Sequence, residues 1–297
     1  MGKCRICPRE CGVDREHGER GFCGQTNRIR VARAALHMWE EPCISGENGS
    51  GTVFFTGCTL RCVYCQNHTI SGGEVGKEIG VGRLAEIFLE LQGKGANNIN
   101  LVTPTHFVPQ IIEALDAART QGLRLPVVYN TGGYEKVETL KRLEGYVDVY
   151  LPDLKYLNPG HAKKYSLAED YPHVAKAAIA EMVRQTGVPQ FDERGIMTRG
   201  VIVRHLLLPG CLADAKKIVC YLYSTYKEQI YMSLMNQYTP LESLDKVRYP
   251  EIAKTVSERA YGRLIDYAID LGIEQAFIQE GETAKESFIP PFTLEGV

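Results

Sequence analysis

The sequence predicts an α/β fold on a parallel sheet, and three observations carry that expectation. Short runs rich in β-branched and aromatic residues recur along the chain, and amphipathic helical patterns separate them. The 297 residues are 44% hydrophobic, which suits a globular core. Strands that alternate with helices need right-handed crossovers, so the sheet is either doubly wound or a barrel, complete or partial. Periodicity alone does not separate the two.

The first 45 residues are polar, charged and cysteine-rich, with Gly12, Gly18, Gly21 and Gly24 as punctuation. With few apolar residues to bury, they read as a small loop-rich element that needs a ligand to hold it. The turn-rich GENGSG leads into an apolar strand at 52–56. Further strands are expected at 98–102 (NINLV), 126–130 (PVVYN), 147–151 (VDVYL), 201–208 (VIVRHLLL) and 230–235 (IYMSLM). Leu84, Ile87, Phe88 and Leu91 share one helical face before Gly93 and Gly95; Ile111, Ile112, Leu115 and Ala118 share another before Gly122. Val137, Leu140 and Leu143 mark a third helix, 171–186 a fourth and 213–226 a fifth. A sixth is expected from Pro250 through Ile252, Val256, Ala260 and Leu264 to Gly272. The expected divisions are a cysteine-rich element at 1–45, a core at 46–272 and a docking tail at 273–297, which ends SFIPPFTLEGV.

Charge excludes some functions. With 34 Lys and Arg against 36 Asp and Glu, and no basic run longer than a pair, the chain offers no general footprint for a nucleic-acid backbone. No run of 18 uncharged apolar residues is present for a membrane span, and the start, MGKCRICPRE, lacks an apolar signal core. A soluble, cytoplasmic protein is the expectation.

In a reducing compartment the ten cysteines point to metal rather than to disulfides. In FFTGCTLRCVYCQN, Cys58, Cys62 and Cys65 follow the first core strand with C-x3-C-x2-C spacing, where a barrel's C-terminal mouth places reactive loops. Three thiolates on a four-iron cluster leave one iron open, and that position permits chemistry beyond electron storage. The same spacing could give buried structural cysteines on a helix, although Gly57 and the preceding strand oppose a helix there; zinc with a distant fourth ligand is a further alternative. Cys4, Cys7, Cys11 and Cys23, spaced C-x2-C-x3-C-x11-C, read as a metal knuckle for zinc or a second iron–sulfur cluster. Cys43 is a substitute ligand or a packed residue, and Cys211 and Cys220 read as core residues.

The stretch GCTLRCVYCQN resembles the cluster loop, C-x3-C-x-aromatic-C, of the radical S-adenosylmethionine (SAM) superfamily, with Tyr64 as the aromatic. Through CRICPRECGV, GERGFCG, EEPCISGENGSGTVFFTGC, CQNHTIS, LVTPTHFVPQI, YNTGGYE, VDVYLPDLKY, RHLLLPG, NQYTP and FIPPFTLEGV, the chain also resembles the pyruvate formate-lyase-activating-enzyme-like group, most closely its PflX-type branch. The resemblance implies a partial (β/α)6 TIM-like barrel with a cysteine-rich, metal-binding N-terminal extension. It implies a [4Fe–4S] cluster on Cys58, Cys62 and Cys65 whose open iron binds SAM, and reductive cleavage to a 5′-deoxyadenosyl radical that abstracts hydrogen. The implied partners are an electron donor such as flavodoxin or ferredoxin and a glycyl radical enzyme whose glycine is the substrate. A small molecule or another protein side chain is the alternative hydrogen donor, and a non-catalytic iron–sulfur or zinc protein is the alternative of another class.

Polar groups at the strand ends are the candidates for holding SAM, together with Tyr64 and Asn67 of the cluster loop. After the second core strand stand Thr103, Thr105 and His106, where many relatives carry Gly-Gly-Glu; the literal GGE at 72–74 falls before the first helix, out of place. Asn130 and Thr131 follow the third strand and serve equally as a helix-start turn. Asp153 and Lys155 are two apart, so extended backbone points both the same way; the resemblance implies a place near SAM and the substrate, with a surface ion pair as the alternative. Arg204 and His205 are adjacent and face opposite sides; the resemblance implies roles near the SAM carboxylate or adenine, with a satisfied structural pair as the alternative. Gln237 and Tyr238 could line the substrate end.

Overall fold

Seven strands run parallel and lie side by side in the order in which they occur, and that order decides between the two architectures. A doubly wound sheet would reverse its order at a switch point; this sheet is wound in one direction, as a barrel is. The computed structural model describes residues 3–73, 75–279 and 290–297. Its strands are β1 (Ile29–His37), β2 (Ser50–Phe55), β3 (Lys77–Ile79), β4 (Ile99–Val102), β5 (Val127–Thr131), β6 (Val149–Pro152), β7 (Gln190–Phe191), β8 (Met197–Leu206), β9 (Tyr231–Met235) and β10 (Ala276–Ile278). They are ordered β10-β9-β8-β6-β5-β4-β2-β1-β3, with β7 hanging from β8. Among the described residues the two outer strands, β3 and β10, do not pair with each other, so the barrel is partial and the sheet open.

Helices α1 (Pro42–Ser45), α2 (His68–Ser71), α3 (Val81–Gly93), α4 (Val108–Thr120), α5 (Val137–Lys141), α6 (Pro159–Ser166), α7 (Tyr171–Thr186), α8 (Leu212–Tyr226) and α9 (Glu258–Asp270) complete the regular structure. The α3 stripe is buried as its spacing predicts, and Leu84, Ile87, Phe88 and Leu91 each bring roughly 1.5–3 kcal/mol from lost apolar exposure.

Two expectations need correction. The first 45 residues are not all loop: β1 runs nine residues antiparallel to β2 and buries Ile29, Val31, Ala32, Ala34 and Ala35. The sixth helix does not begin at Pro250. A separate 3-10 turn, Pro250–Ile252, comes first, and α9 starts after Ser257, whose hydroxyl accepts from the Ala260 N–H at 3.2 Å and so satisfies a donor the helix leaves open. The described end of the tail, 290–297, lies on β1: the Ala34 N–H donates to the Glu295 carbonyl (2.8 Å) and Arg33 pairs with the Glu295 carboxylate (2.7 Å). Residues 280–289 of the expected tail, and Glu74 of the misplaced GGE, lie outside the described residues.

Strand alternation sorts the sheet's two faces. Val127, Tyr129, Tyr150, Val201 and Val203 pack in the cluster formed with α3, α4 and α7. Val128, Val149, Leu151, Met197 and Ile202 face the other way and pack on Cys43 and Ile44 of α1. That short helix plugs the barrel from below, held by Asn98 Nδ2 on the Ile44 carbonyl (2.8 Å) and Asn97 Nδ2 on the Ser45 carbonyl (2.7 Å). Cys43 is therefore a packed residue. Cys211 is buried, whereas Cys220 is exposed on α8 rather than in the core.

Candidate active site

Above the plug the barrel's inner face turns polar. Asn100, Asn130 and Arg204 on β4, β5 and β8, and Asp153 just past the end of β6, stand in phase with the apolar layer, and Glu40 reaches them from the segment before α1. Arg204 donates to Asp153 (3.0 Å), Glu40 (3.3 Å) and Asn130 (2.6 Å). Glu40 also accepts from Asn100 (3.1 Å) and Asn130 (3.2 Å), and Lys155 Nζ donates to Asp153 at 2.5 Å. Burial works to raise Asp153, but Lys155 and Arg204 overcome it and hold its carboxyl below the usual range. Burial wins at Glu40, whose carboxyl is raised although Arg204 and Asn100 oppose. Arg204, Asn130, Glu40 and Glu41 line a cavity of about 500 Å³, of the size that takes a small ligand, together with Gln66, Asn67, Ser233 and Gln237.

The three motif thiols sit on the loop that follows β2. Gly57 begins it with φ +92°, where a Cβ would stand 2.6 Å from the Cys23 carbonyl oxygen, so only glycine lets the amino-terminal element and the loop close on each other. Arg9 and Arg61 fasten the contact: both guanidinium groups lie over the Phe22 ring, Arg9 Nε donates to the Thr59 carbonyl (2.9 Å) and Arg61 to the Phe22 carbonyl (2.7 Å). Burial pushes the Cys58 thiol up to about 12, with Cys62 and Cys65 adding to it and the Leu60 N–H and Lys155 opposing. Burial raises Cys62 as well, against Lys155 and the Ser166 hydroxyl 3.0 Å away. Ser166 continues to Tyr156 (2.9 Å) and Tyr156 to Tyr64 (2.5 Å), a buried chain of hydroxyls that fixes the loop's aromatic.

The donor set suits an iron–sulfur cluster: three thiols close enough to act on one another, N–H and O–H groups aimed at sulfur, and a lysine beside them. Among the described residues no three or more Cys, His, Asp or Glu side chains close around a single-ion position. Cys4, Cys7, Cys11 and Cys23 are also gathered. Burial pushes the Cys7 thiol up to about 12, with the Arg9 N–H opposing and Cys23, Glu135 and Cys4 adding to it, and Cys4 and Cys11 bear on Cys23. At Gly21 a Cβ would stand 2.8 Å from the Cys11 sulfur, so glycine makes the room those sulfurs occupy.

The remaining candidates divide. Asn67 and Asn130 face the cavity. Thr103 holds φ +56°, costly for a β-branched residue, at the end of β4. Thr105 and Thr131 both donate to Glu135, Thr105 at 2.6 Å, and not towards the cavity. His106 Nε2 stands 2.7 Å from the Thr56 carbonyl, and burial takes its pKa down to about 3. His205 turns to the helix layer, its Nδ1 2.8 Å from the Leu154 carbonyl. Gln237 lines the cavity, while the buried Tyr238 donates to the Ile252 carbonyl. Sequence reasoning missed Glu40, Glu41, Glu135 and Tyr171. The Tyr171 hydroxyl accepts from the Lys155 N–H (2.9 Å) and stands within 2.9 Å of the Gly132 and Asp153 carbonyls, tying two strand ends together. The pair Glu40–Glu41, followed by Pro42 and the apolar Cys43-Ile44, was the available signal for a plug that carries acids inward.

A sequence profile described as the radical SAM superfamily matches residues 52–206, just over half of the chain. The "Uncharacterized protein MJ0674" of Methanocaldococcus jannaschii is 28% identical over 281 residues, 90% of this chain and 76% of its own. Among solved structures, a radical SAM methyltransferase from Sphaerobacter thermophilus superposes with TM-score 0.51 at 18% identity over 77% of this chain and 66% of its own. Streptococcus suis SuiB bound to S-adenosylmethionine gives TM-score 0.51 at 15% identity over 75% of this chain and 48% of its own. The chain thus spans about half the length of SuiB, and at these identities the likeness concerns the fold.

Proposed function

The chain belongs to the radical SAM superfamily, and from that premise we propose an enzyme of the pyruvate formate-lyase-activating-enzyme-like group, PflX-type branch, that abstracts hydrogen from a substrate at the barrel mouth. When bound, a [4Fe–4S] cluster on Cys58, Cys62 and Cys65 together with SAM supplies, on one-electron reduction, a 5′-deoxyadenosyl radical. The protein's part is position and charge. Ser166 and the Leu60 N–H stabilise sulfur charge. Arg204 has five N–H donors, and its three described acceptors leave donors for a SAM carboxylate. Asp153, held ionised by Lys155 and Arg204, keeps a fixed charge at the mouth.

The observation that carries the reading is that the motif thiols and this buried charge network meet at the same end of the barrel, joined through Lys155, which bears on both Cys62 and Asp153. The activase form of the reading takes a glycine of a glycyl radical enzyme as substrate and flavodoxin or ferredoxin as electron donor. The carboxylates on the cavity floor favour a second form, a small molecule or a charged side chain, because a backbone glycine gives them nothing to pair with. Anaerobic reconstitution, reduction and SAM should yield 5′-deoxyadenosine, lost in Cys62→Ala. Deuterium passing from a labelled glycine of a partner enzyme into that product supports the activase form; its absence with product still formed favours the second. No 5′-deoxyadenosine from a protein that holds its cluster sinks both.

A further inference from the structure

We propose that the floor of the cavity is a subsite for a cationic group of the substrate, a primary amine on an alkyl chain, with Glu41 as its partner; this rests on the second form of the reading above. The described groups at the floor do not balance. Glu40, Glu41 and Asp153 bring three carboxylates, and Arg204 and Lys155 bring two cations. Arg204 is shared among Asp153, Glu41 and Glu40, with hydrogen bonds to Asp153 and Glu40, and Lys155 lies on Asp153. Glu41 is 8% exposed, lines the cavity, and its Oε2 has no hydrogen-bond donor among the described residues.

Arg204 and Ser233 offset only part of the cost of burying Glu41, whose carboxyl stays raised, so a cation that arrives with a ligand would stabilise its ionised form. An ammonium carries three donors and no acceptor, which suits the two carboxylates that line the cavity, Glu40 and Glu41. Trp39, Phe54 and Phe277 also line the cavity, and aromatic rings attract cations. The cavity's own imidazole, His37, does not supply the charge, because burial and Arg33 lower its pKa.

SAM itself carries an amino group and a sulfonium, so the test separates the two sources of charge. Calorimetric titrations of the anaerobic, cluster-loaded protein would use 1,4-diaminobutane against 1,4-butanediol, and Nα-acetyl-lysinamide against Nα-acetyl-norleucinamide. At least one amine should bind with at least tenfold preference over its neutral counterpart. Glu41→Gln should erase that preference while changing SAM affinity less than twofold. A small diamine alone binding points to a free amine, and the lysinamide binding to a peptide side chain; either supports the proposal. Equal binding of neutral counterparts, no binding of either amine, or a tenfold loss of SAM affinity in Glu41→Gln overturns it. The wild-type comparison stands even should the variant not fold. Because binding needs no turnover, its failure with 5′-deoxyadenosine still formed would sink this inference alone.

Discussion

Replacing Arg204 by methionine should destabilise the protein far more than its three hydrogen bonds suggest. The guanidinium is largely buried, and Glu40, largely buried too, has no other cation in contact among the described residues, whereas Asp153 keeps Lys155. Removing one member of a buried ion pair costs about 3–5 kcal/mol, because the partner charge is left in a medium that solvates it poorly. For 297 residues at about 2.1 cal/mol/K each, the entropy of melting is about 0.6 kcal/mol/K, so Tm should fall by about 5–8 °C. Glu40→Gln on that background keeps the carbonyl that Asn100 and Asn130 donate to and removes the stranded charge, so it should recover about half of the loss. The pH dependence has a definite sign. A carboxyl whose folded pKa is raised binds its proton better folded than unfolded, so the stability it contributes is present at low pH and lost as pH rises. Arg204→Met should therefore lie closer to wild type at pH 5.5 than at pH 8. Differential scanning calorimetry of the anaerobic apoprotein measures all three species. A Tm within 1 °C of wild type, or a double variant no more stable than Arg204→Met, would refute the network as drawn.

Glu135, buried, has its carboxyl raised to about 7 by desolvation, against the bonds from Thr105, Thr131 and Tyr129. Its folded form keeps a proton that the unfolded chain releases near 4.5, so stability should decline between about pH 4.5 and 7, and Glu135→Gln should flatten that decline and melt higher at pH 8; an unchanged pH profile counts against it. Cys7→Ser should remove one complement of metal, zinc or a second iron–sulfur group, from anaerobically purified protein while leaving the iron held by Cys58, Cys62 and Cys65. Elemental analysis with iron and acid-labile sulfide assays checks this, and unchanged metal content defeats the metal-knuckle proposal.

What could be read from the chain, and what could not, follows the range of the forces involved. Alternation within a strand is local, so opposite facings of Arg204 and His205, and a shared one for Asp153 and Lys155, are legible two residues at a time. Which facing is the inner one depends on register: Asp153 and Arg204 meet only because β6 and β8 align there, 51 residues apart in the chain. β1 escaped notice because Arg30 and Arg33 interrupt its apolar run, and their partners are distant: Arg30 donates to the Gly73 and Gly76 carbonyls, and Arg33 pairs with Glu295. Two adjacent acids normally mark a solvated face, and nothing near Glu40 and Glu41 in sequence could offset their burial. The compensation comes from Asn100, Asn130 and Arg204, 60, 90 and 164 residues away. That distance has a consequence for the chemistry. A carboxylate so expensive to bury persists in a fold only where something far along the chain, or a ligand, repeatedly completes it. Glu40 has its completion within the barrel, whereas Glu41, one residue on, has only part of it, from Arg204 and Ser233, keeps an Oε2 with no donor among the described residues, and lines the cavity.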